Sequence, residues 1–248
     1  KILRGYEHRD FTLKQRVLTE WRVLIYYISL LLYPSPSRLN LEHDFPLSQS
    51  MISPFTTAFS LIFIMALLAL ALYHRNEHRI VSFCILWFLG QLTLESSFVA
   101  LEIIFEHRTY LPSIGLIFLI FVLVFKMPNK RTWMMHGVLC LTAVVMFIWT
   151  YQRNGTWRDP IIFWEDSIEK SPKKARVYTN LGLALARENR FEEAIERYKT
   201  ALTLDPDSAE AANNLGLSWA ASGKNGKALR YLLDSLQRAK DRGYKKDA

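Results

Sequence analysis

The 248-residue sequence contains only two cysteines, Cys84 and Cys140. Each lies inside an apolar run, so neither a disulfide framework nor a thiolate metal site is available to organise the fold. Both read as small core residues. No signal peptide precedes the first apolar segment, and the chain opens on Lys1, which predicts a fragment with something missing upstream. Acids are the minority charge, 23 Asp and Glu against 31 Lys and Arg, for a formal charge of +8. An excess of that size raises nucleic acid as a partner. The basic residues, however, lie in short clusters beside apolar runs rather than in one stripe, which argues for a membrane and against nucleic acid.

Half of the residues are hydrophobic, and their distribution is lopsided. Apolar runs fill the first three fifths, whereas from Arg158 onward charge and alanine dominate with helical periodicity. The sequence therefore predicts an all-α protein, a polytopic bundle of transmembrane helices followed by a short extracytoplasmic solenoid of helical repeats. The membrane domain is expected over 1–152 with about four or five spans, a junction and degenerate half repeat over 153–174, and two repeats with a tail over 175–248.

A span needs about 20 mostly apolar residues. Phe55 to Tyr73 supplies such a run without a charge. Ile80 to Leu94 and Pro112 to Met127 are shorter, and Trp133 to Tyr151 has aromatic ends suited to the headgroup level. The segment from Val17 to Tyr33 carries Glu20 and Arg22, so it either spans or lies along the interface. The basic loops at His74–Arg79 and Lys126–Arg131 are predicted cytoplasmic, because short loops rich in Lys and Arg stay inside. Everything after Tyr151 is then external. A bacterial inner membrane with the repeats in the periplasm is expected, with the endoplasmic reticulum and its lumen as the alternative. His74 and His78, four apart, suit metal chelation if the loop is helical. Arg75 and Arg79 interleave them and no third ligand stands out, so the pair reads as part of the cytoplasmic cluster, with no metal site and no identified cofactor.

Ala175–Ser208 and Ala209–Arg242 align without gaps at a period of 34. Asn180, Leu181 and Gly182 recur as Asn214, Leu215 and Gly216, and Ala194 recurs as Ala228. This is the spacing of a tetratricopeptide repeat, with its signature at Leu181, Gly182, Ala194, Tyr198, Ala201 and Pro206. Gly182 and Ala194 let two antiparallel helices approach closely, and Pro206 ends the second one. One period earlier Pro172 and Trp164 replace Pro206 and Tyr198, so the segment from Asp159 to Pro172 reads as the second helix of a degenerate repeat that caps the array. Such arrays bind peptides along the concave face. Thr179, Leu183, Ala186, Asn213, Leu217 and Ala220 are assigned to that groove, and Asn180 and Asn214 are candidates to hydrogen-bond an extended ligand, with inter-helix packing as their competing role.

Between Glu95 and Arg108 the pattern predicts an amphipathic helix at the outer membrane surface, with Glu95, Glu102 and Glu106 in one narrow acidic arc. Arg108 then stands just before Pro112, which suits the first turn of the next helix. A guanidinium there can fork onto a phosphate headgroup. Arg108, with Tyr110, is the candidate lipid-phosphate site. Glu42 and Asp44 are external acids, read as solvated loop residues.

The motif Glu106, Arg108, Tyr110, Leu111, Pro112, Ser113 and Gly115, the preceding stretch from Tyr26 to Pro46, and repeats after a final span resemble the transmembrane and tetratricopeptide-repeat protein O-mannosyltransferases. These have the C-type glycosyltransferase fold, and the resemblance extends to bacterial relatives. It implies transfer of a sugar from a polyprenyl-phosphate donor to an extracytoplasmic acceptor, with a protein or peptide partner on the repeats. It also implies that the catalytic acids lie in a first external loop upstream of these residues, so no residue of this chain is assigned as catalytic. The competing reading is a non-enzymatic, membrane-anchored scaffold whose repeats assemble an envelope complex.

Overall fold

The computed structural model describes residues 6, 9, 11–93, 96, 99, 101–126 and 132–247. All regular structure among them is helical. The chain divides into two compact units, Lys1–Leu41 with Phe45–Thr150, and Glu42–Asp44 with Tyr151–Ala248.

The first unit opens with α1 (Leu13–Leu32), started by a capping box in which Thr12 and Gln15 satisfy each other's backbone N–H groups. Its buried side chains, Arg16, Thr19, Glu20, Val23, Leu24, Tyr27 and Leu30, fall at helical spacing on one face. α2 (Thr56–Tyr73), α3 (Arg79–Thr93), α4 (Tyr110–Phe125) and α5 (Thr132–Trp157) follow. Val23, Leu24, Tyr27, Ile64, Phe88, Leu92, Ile103 and Ile104 form one core with Phe11. Gly115 brings α4 close to α3: a Cβ there would stand 2.9 Å from Trp87 Cδ1 and 3.2 Å from the Cys84 carbonyl. The Trp87 indole N–H donates to the Leu111 carbonyl at 3.0 Å across the same contact.

Among the described residues, three helices are long and apolar enough to cross a membrane: Thr56–Tyr73, the run Glu106–Val124, and Trp133–Trp157. At about 1.5 Å per residue α5 extends about 39 Å, more than the roughly 30 Å hydrocarbon layer. α3, at 15 residues, is shorter. α1 carries Arg16, Glu20 and Arg22 and does not have the composition of a span. Phe59, Ile62, Phe63 and Met65 on α2, and Val138, Leu141, Val144 and Phe147 on α5, are exposed. Apolar surface of that extent is stable against lipid rather than water, so this is a membrane protein. Cys84 is buried, but Cys140 is exposed on α5 rather than in a core, because no residue in the apolar stretch of that helix is fully buried.

Residues 101–105 correct the expectation of an amphipathic helix. They are not helical, and a 3-10 turn, Glu106–Thr109, leads into α4. The cause lies in α1, whose polar side chains take the backbone groups that helix formation would need. The Tyr27 hydroxyl bonds both the N–H and the carbonyl of Phe105, and Arg16 donates to the Leu101 carbonyl. Ile103 and Ile104 point into the core.

The second unit contains α6 (Pro160–Lys170), α7 (Ala175–Arg187), α8 (Phe191–Leu204), α9 (Ala209–Ala221) and α10 (Asn225–Asp247). Asp159 caps α6 by accepting from the N–H groups of Ile161 and Ile162, with Pro160 at the first helical position. α7 with α8 and α9 with α10 are the two tetratricopeptide hairpins. Their core is Leu181, Leu185, Ala194, Ile195, Tyr198, Leu215, Trp219 and Ala228, and Ile161, Trp164 and Ile168 of α6 pack against it. The period of 34 extends to the backbone: Asn189 (φ 60°) and Gly223 (φ 77°) are one repeat apart and hold the left-handed position of each hairpin turn.

Candidate functional site

In the first unit, α1 and the 101–110 segment bring together ionisable groups far apart in sequence. Arg16 Nη2 lies 2.9 Å from Glu20 Oε1, and the two side chains are 0% and 3% exposed. A buried pair of this kind adds little net stability, but removing one partner strands a charge at a cost of about 3–5 kcal/mol. Neither Arg16 nor Glu20 was singled out from the sequence as part of a site. The available signal was their spacing of four on the face that also carries Val23 and Tyr27.

Arg108 is 7% exposed. Its Nη1 donates to the Ile103 carbonyl at 3.4 Å, its guanidinium lies 5.0 Å over the Phe105 ring, and it interacts with the Tyr27 hydroxyl and the Arg16 charge. Tyr110 is 75% exposed. Though two residues apart, Arg108 points inward and Tyr110 outward.

The acids do not form a common stripe. Glu102 pairs with Arg9, and Glu106 accepts from the Asn40 backbone N–H. Glu95 lies outside the described residues. Three guanidinium groups, Arg9, Arg16 and Arg108, thus share one region with three carboxylates, Glu20, Glu102 and Glu106. An anion arriving at Arg9 or Arg16 would have to compete with a carboxylate for its cation.

In the second unit Glu42 is buried rather than solvated. Its carboxylate pairs with Arg176 at 3.1 Å, its carbonyl accepts from Ser171 Oγ, and Ser171 Oγ in turn accepts from the Asp44 N–H. Asp159 caps the start of α6, and farther along the helix Asp166 Oδ2 accepts from Arg153 at 2.7 Å and Lys170 at 2.6 Å.

Among the groove candidates, Thr179 is buried and its hydroxyl is spent on the Ala175 carbonyl at 3.2 Å. Asn180, Leu183, Ala186, Asn213 and Asn214 are half-buried, and Leu217 and Ala220 are exposed. α7 and α9 therefore offer a partly open face with Asn180 and Asn214 at equivalent positions one repeat apart. The sequence reading missed a basic cluster on this unit. Lys199, Lys224 and Lys227 hold their ammonium groups 5.7, 4.9 and 4.5 Å from the centroid of the Trp219 ring.

A family model described as TPR repeat matches residues 184–223. The chain is 30% identical over 171 residues to protein O-mannosyl-transferase TMTC1 of Homo sapiens, a match covering 62% of this chain and 18% of that protein. It is 28% identical over 201 residues to protein O-mannosyl-transferase F38B6.6 of Caenorhabditis elegans, covering 77% of this chain and 28% of the relative. The chain thus spans less than a third of the length of these relatives. Among solved structures, MamA 41-end from Desulfovibrio magneticus RS-1 aligns at 18% identity and a TM-score of 0.34, covering 54% of this chain and 76% of that one. The residues from Tyr151 to the end make up about two fifths of the chain. A match over 77% of it therefore includes membrane helices as well as repeats, which a likeness between repeat arrays alone would not give. The chain resembles the TMTC-type protein O-mannosyltransferases.

Proposed function

We propose that this chain is part of a membrane glycosyltransferase that moves a sugar from a polyprenyl-phosphate donor to an acceptor on the side of the membrane where its repeats lie. The observation that carries the reading is the similarity to protein O-mannosyl-transferases running through spans and repeats together. Arg108, just before the first turn of α4, is the group that would meet the donor phosphate, and Tyr110, exposed beside it, would flank the headgroup. Charge develops on a departing phosphate, and a preorganised guanidinium stabilises it more in the transition state than in the ground state. To do so Arg108 would exchange its contacts with Ile103 and Tyr27 for the stronger charge-assisted ones.

The repeats would bind an extended protein segment along α7 and α9, with Asn180 and Asn214 meeting its backbone and Leu183 and Leu217 its side chains. The loops at His74–Arg79 and Lys126–Arg131 are cytoplasmic in this arrangement, and the repeats are in the periplasm of a bacterial cell or the lumen of the endoplasmic reticulum.

The test is a transfer assay. Membranes containing the full-length protein are supplied with labelled polyprenyl-phosphate mannose, and protein-linked label is followed on the extracytoplasmic side. Transfer that depends on the protein supports the enzyme. Its absence, with repeats that still capture a protein partner, leaves a membrane-anchored scaffold.

A further inference from the structure

Residues 74–78, between α2 and α3, form a non-helical turn that is spanned by three backbone hydrogen bonds of i to i−4 spacing. The His74 N–H donates to the Leu70 carbonyl at 3.0 Å, the His78 N–H to His74 at 2.8 Å, and the Ser82 N–H to His78 at 3.0 Å. The turn gathers His74, Glu77 and His78 into one cluster. One ligand atom from each of the three lies within 4.8 Å of the other two. His74 Nδ1 and Glu77 Oε2 are 3.3 Å apart, matching the roughly 3.4 Å between two ligands of a tetrahedral ion bound at 2.0–2.1 Å.

We propose that His74, Glu77 and His78 bind a borderline divalent transition-metal ion of the Zn2+ class, with water in the fourth position. The His74 and His78 rings lie with centroids 5.5 Å apart across this turn and offer two imidazole ligands, and Glu77 supplies the third ligand that the histidine spacing alone does not reveal. Imidazole and carboxylate together select such ions over Mg2+ or Ca2+. The His74 side chain is 34% exposed and that of Glu77 is 73% exposed, so small torsional changes can close the longest gap and water can reach the ion. The carboxylate offsets one positive charge of the ion, while Arg75 and Arg79 weaken the site. Once bound, the ion would clip the end of α2 to the start of α3.

The probe is Co2+, titrated into the full chain in detergent without a polyhistidine tag, following the visible bands of the tetrahedral ion, with Zn2+ as competitor. One tetrahedral Co2+ per chain, displaced by Zn2+, is expected. His78→Asn and Glu77→Gln should each weaken it at least as much as outer-ligand changes do, about 10–100-fold, with unchanged helicity. Arg75→Ala should leave binding intact or tighten it. Equal affinity in the wild type and both ligand variants would assign the ion to other histidines and overturn the proposal.

Discussion

The Tyr27 hydroxyl closes a two-way bond with the Phe105 backbone, donating to its carbonyl at 3.1 Å and accepting from its N–H at 3.0 Å. One phenol thus occupies both polar groups of a residue 78 positions away and holds the segment before α4 extended. Tyr27→Phe leaves both groups without that partner in a buried site, so a loss of about 1–3 kcal/mol is expected. Thermal unfolding of the purified chain in detergent measures it. An unchanged midpoint would show that water or lipid replaces the hydroxyl freely.

Gly182 sits under the ring of Tyr198. A Cβ at 182 would stand 2.6 Å from Cε1 of that ring, and Tyr198 is itself buried. Gly182→Leu should cost roughly 1–3 kcal/mol through overpacking while the membrane helices remain inserted. Limited proteolysis of membranes would report it as loss of a protected fragment carrying the repeats. Unchanged protection would mean that α7 and α8 meet in another register.

The repeats and the spans were legible in the sequence because each carries a local signal. A period of 34 fixes which residues meet across a hairpin, so Gly182 against Tyr198 follows from one repeat compared with the next. A charge-free run from Phe55 to Tyr73 needs no partner to be recognised. The site around Arg108 was not legible, because the segment before it is held by Tyr27, Arg16 and Arg9, side chains 78 to 93 residues away from the groups they bond. The helical periodicity between Glu95 and Arg108 was real as a pattern, but Arg16 and Tyr27 claim the backbone groups of Leu101 and Phe105, and tertiary hydrogen bonds override it. Glu42 misled for a similar reason, since its partner Arg176 is distant in sequence.

Burial pushes the Tyr198 phenol up to about 12 from its ordinary 10. The folded repeats therefore hold this proton more tightly than the unfolded chain. The associated stability is fully present below pH 10 and is lost as pH rises toward about 12, where the native phenol also ionises. Alkaline unfolding of the repeats, followed by circular dichroism, should be steeper in the wild type than in Tyr198→Phe over that window. Identical slopes would place the alkaline transition on other groups.

Membrane orientation is testable with single cysteines. Glu77 is exposed in the α2–α3 turn, and Asn129, outside the described residues, belongs to the second basic loop. Both are expected to be shielded from an impermeant thiol reagent in intact cells or sealed vesicles. Ser48 is a poor external reporter, being buried and bonded to Thr19 and Thr57. Ile52, exposed in the same loop, should label. Labelling at 129 with protection at 52 would invert the topology.

Arg108→Lys separates a phosphate ligand from a structural cation. Lysine keeps the charge but loses the planar fork that engages two phosphate oxygens. On the proposed function, the full-length variant should bind polyprenyl-phosphate mannose more weakly than wild type by an amount that its folding does not explain. Folding is the necessary control, because Arg108 is buried beside Phe105 and donates to the Ile103 carbonyl, contacts that lysine reproduces only in part. A matched variant supplies it: Tyr27→Phe loosens the same segment while leaving the guanidinium in place. If Arg108→Lys loses donor affinity while Tyr27→Phe, equally destabilised, does not, the guanidinium acts on the phosphate. If both lose affinity in proportion to their stability, Arg108 serves the segment's architecture. If neither loses it, the charged triplet before α4 is an interfacial helix start, and the donor phosphate is met by residues other than Arg108.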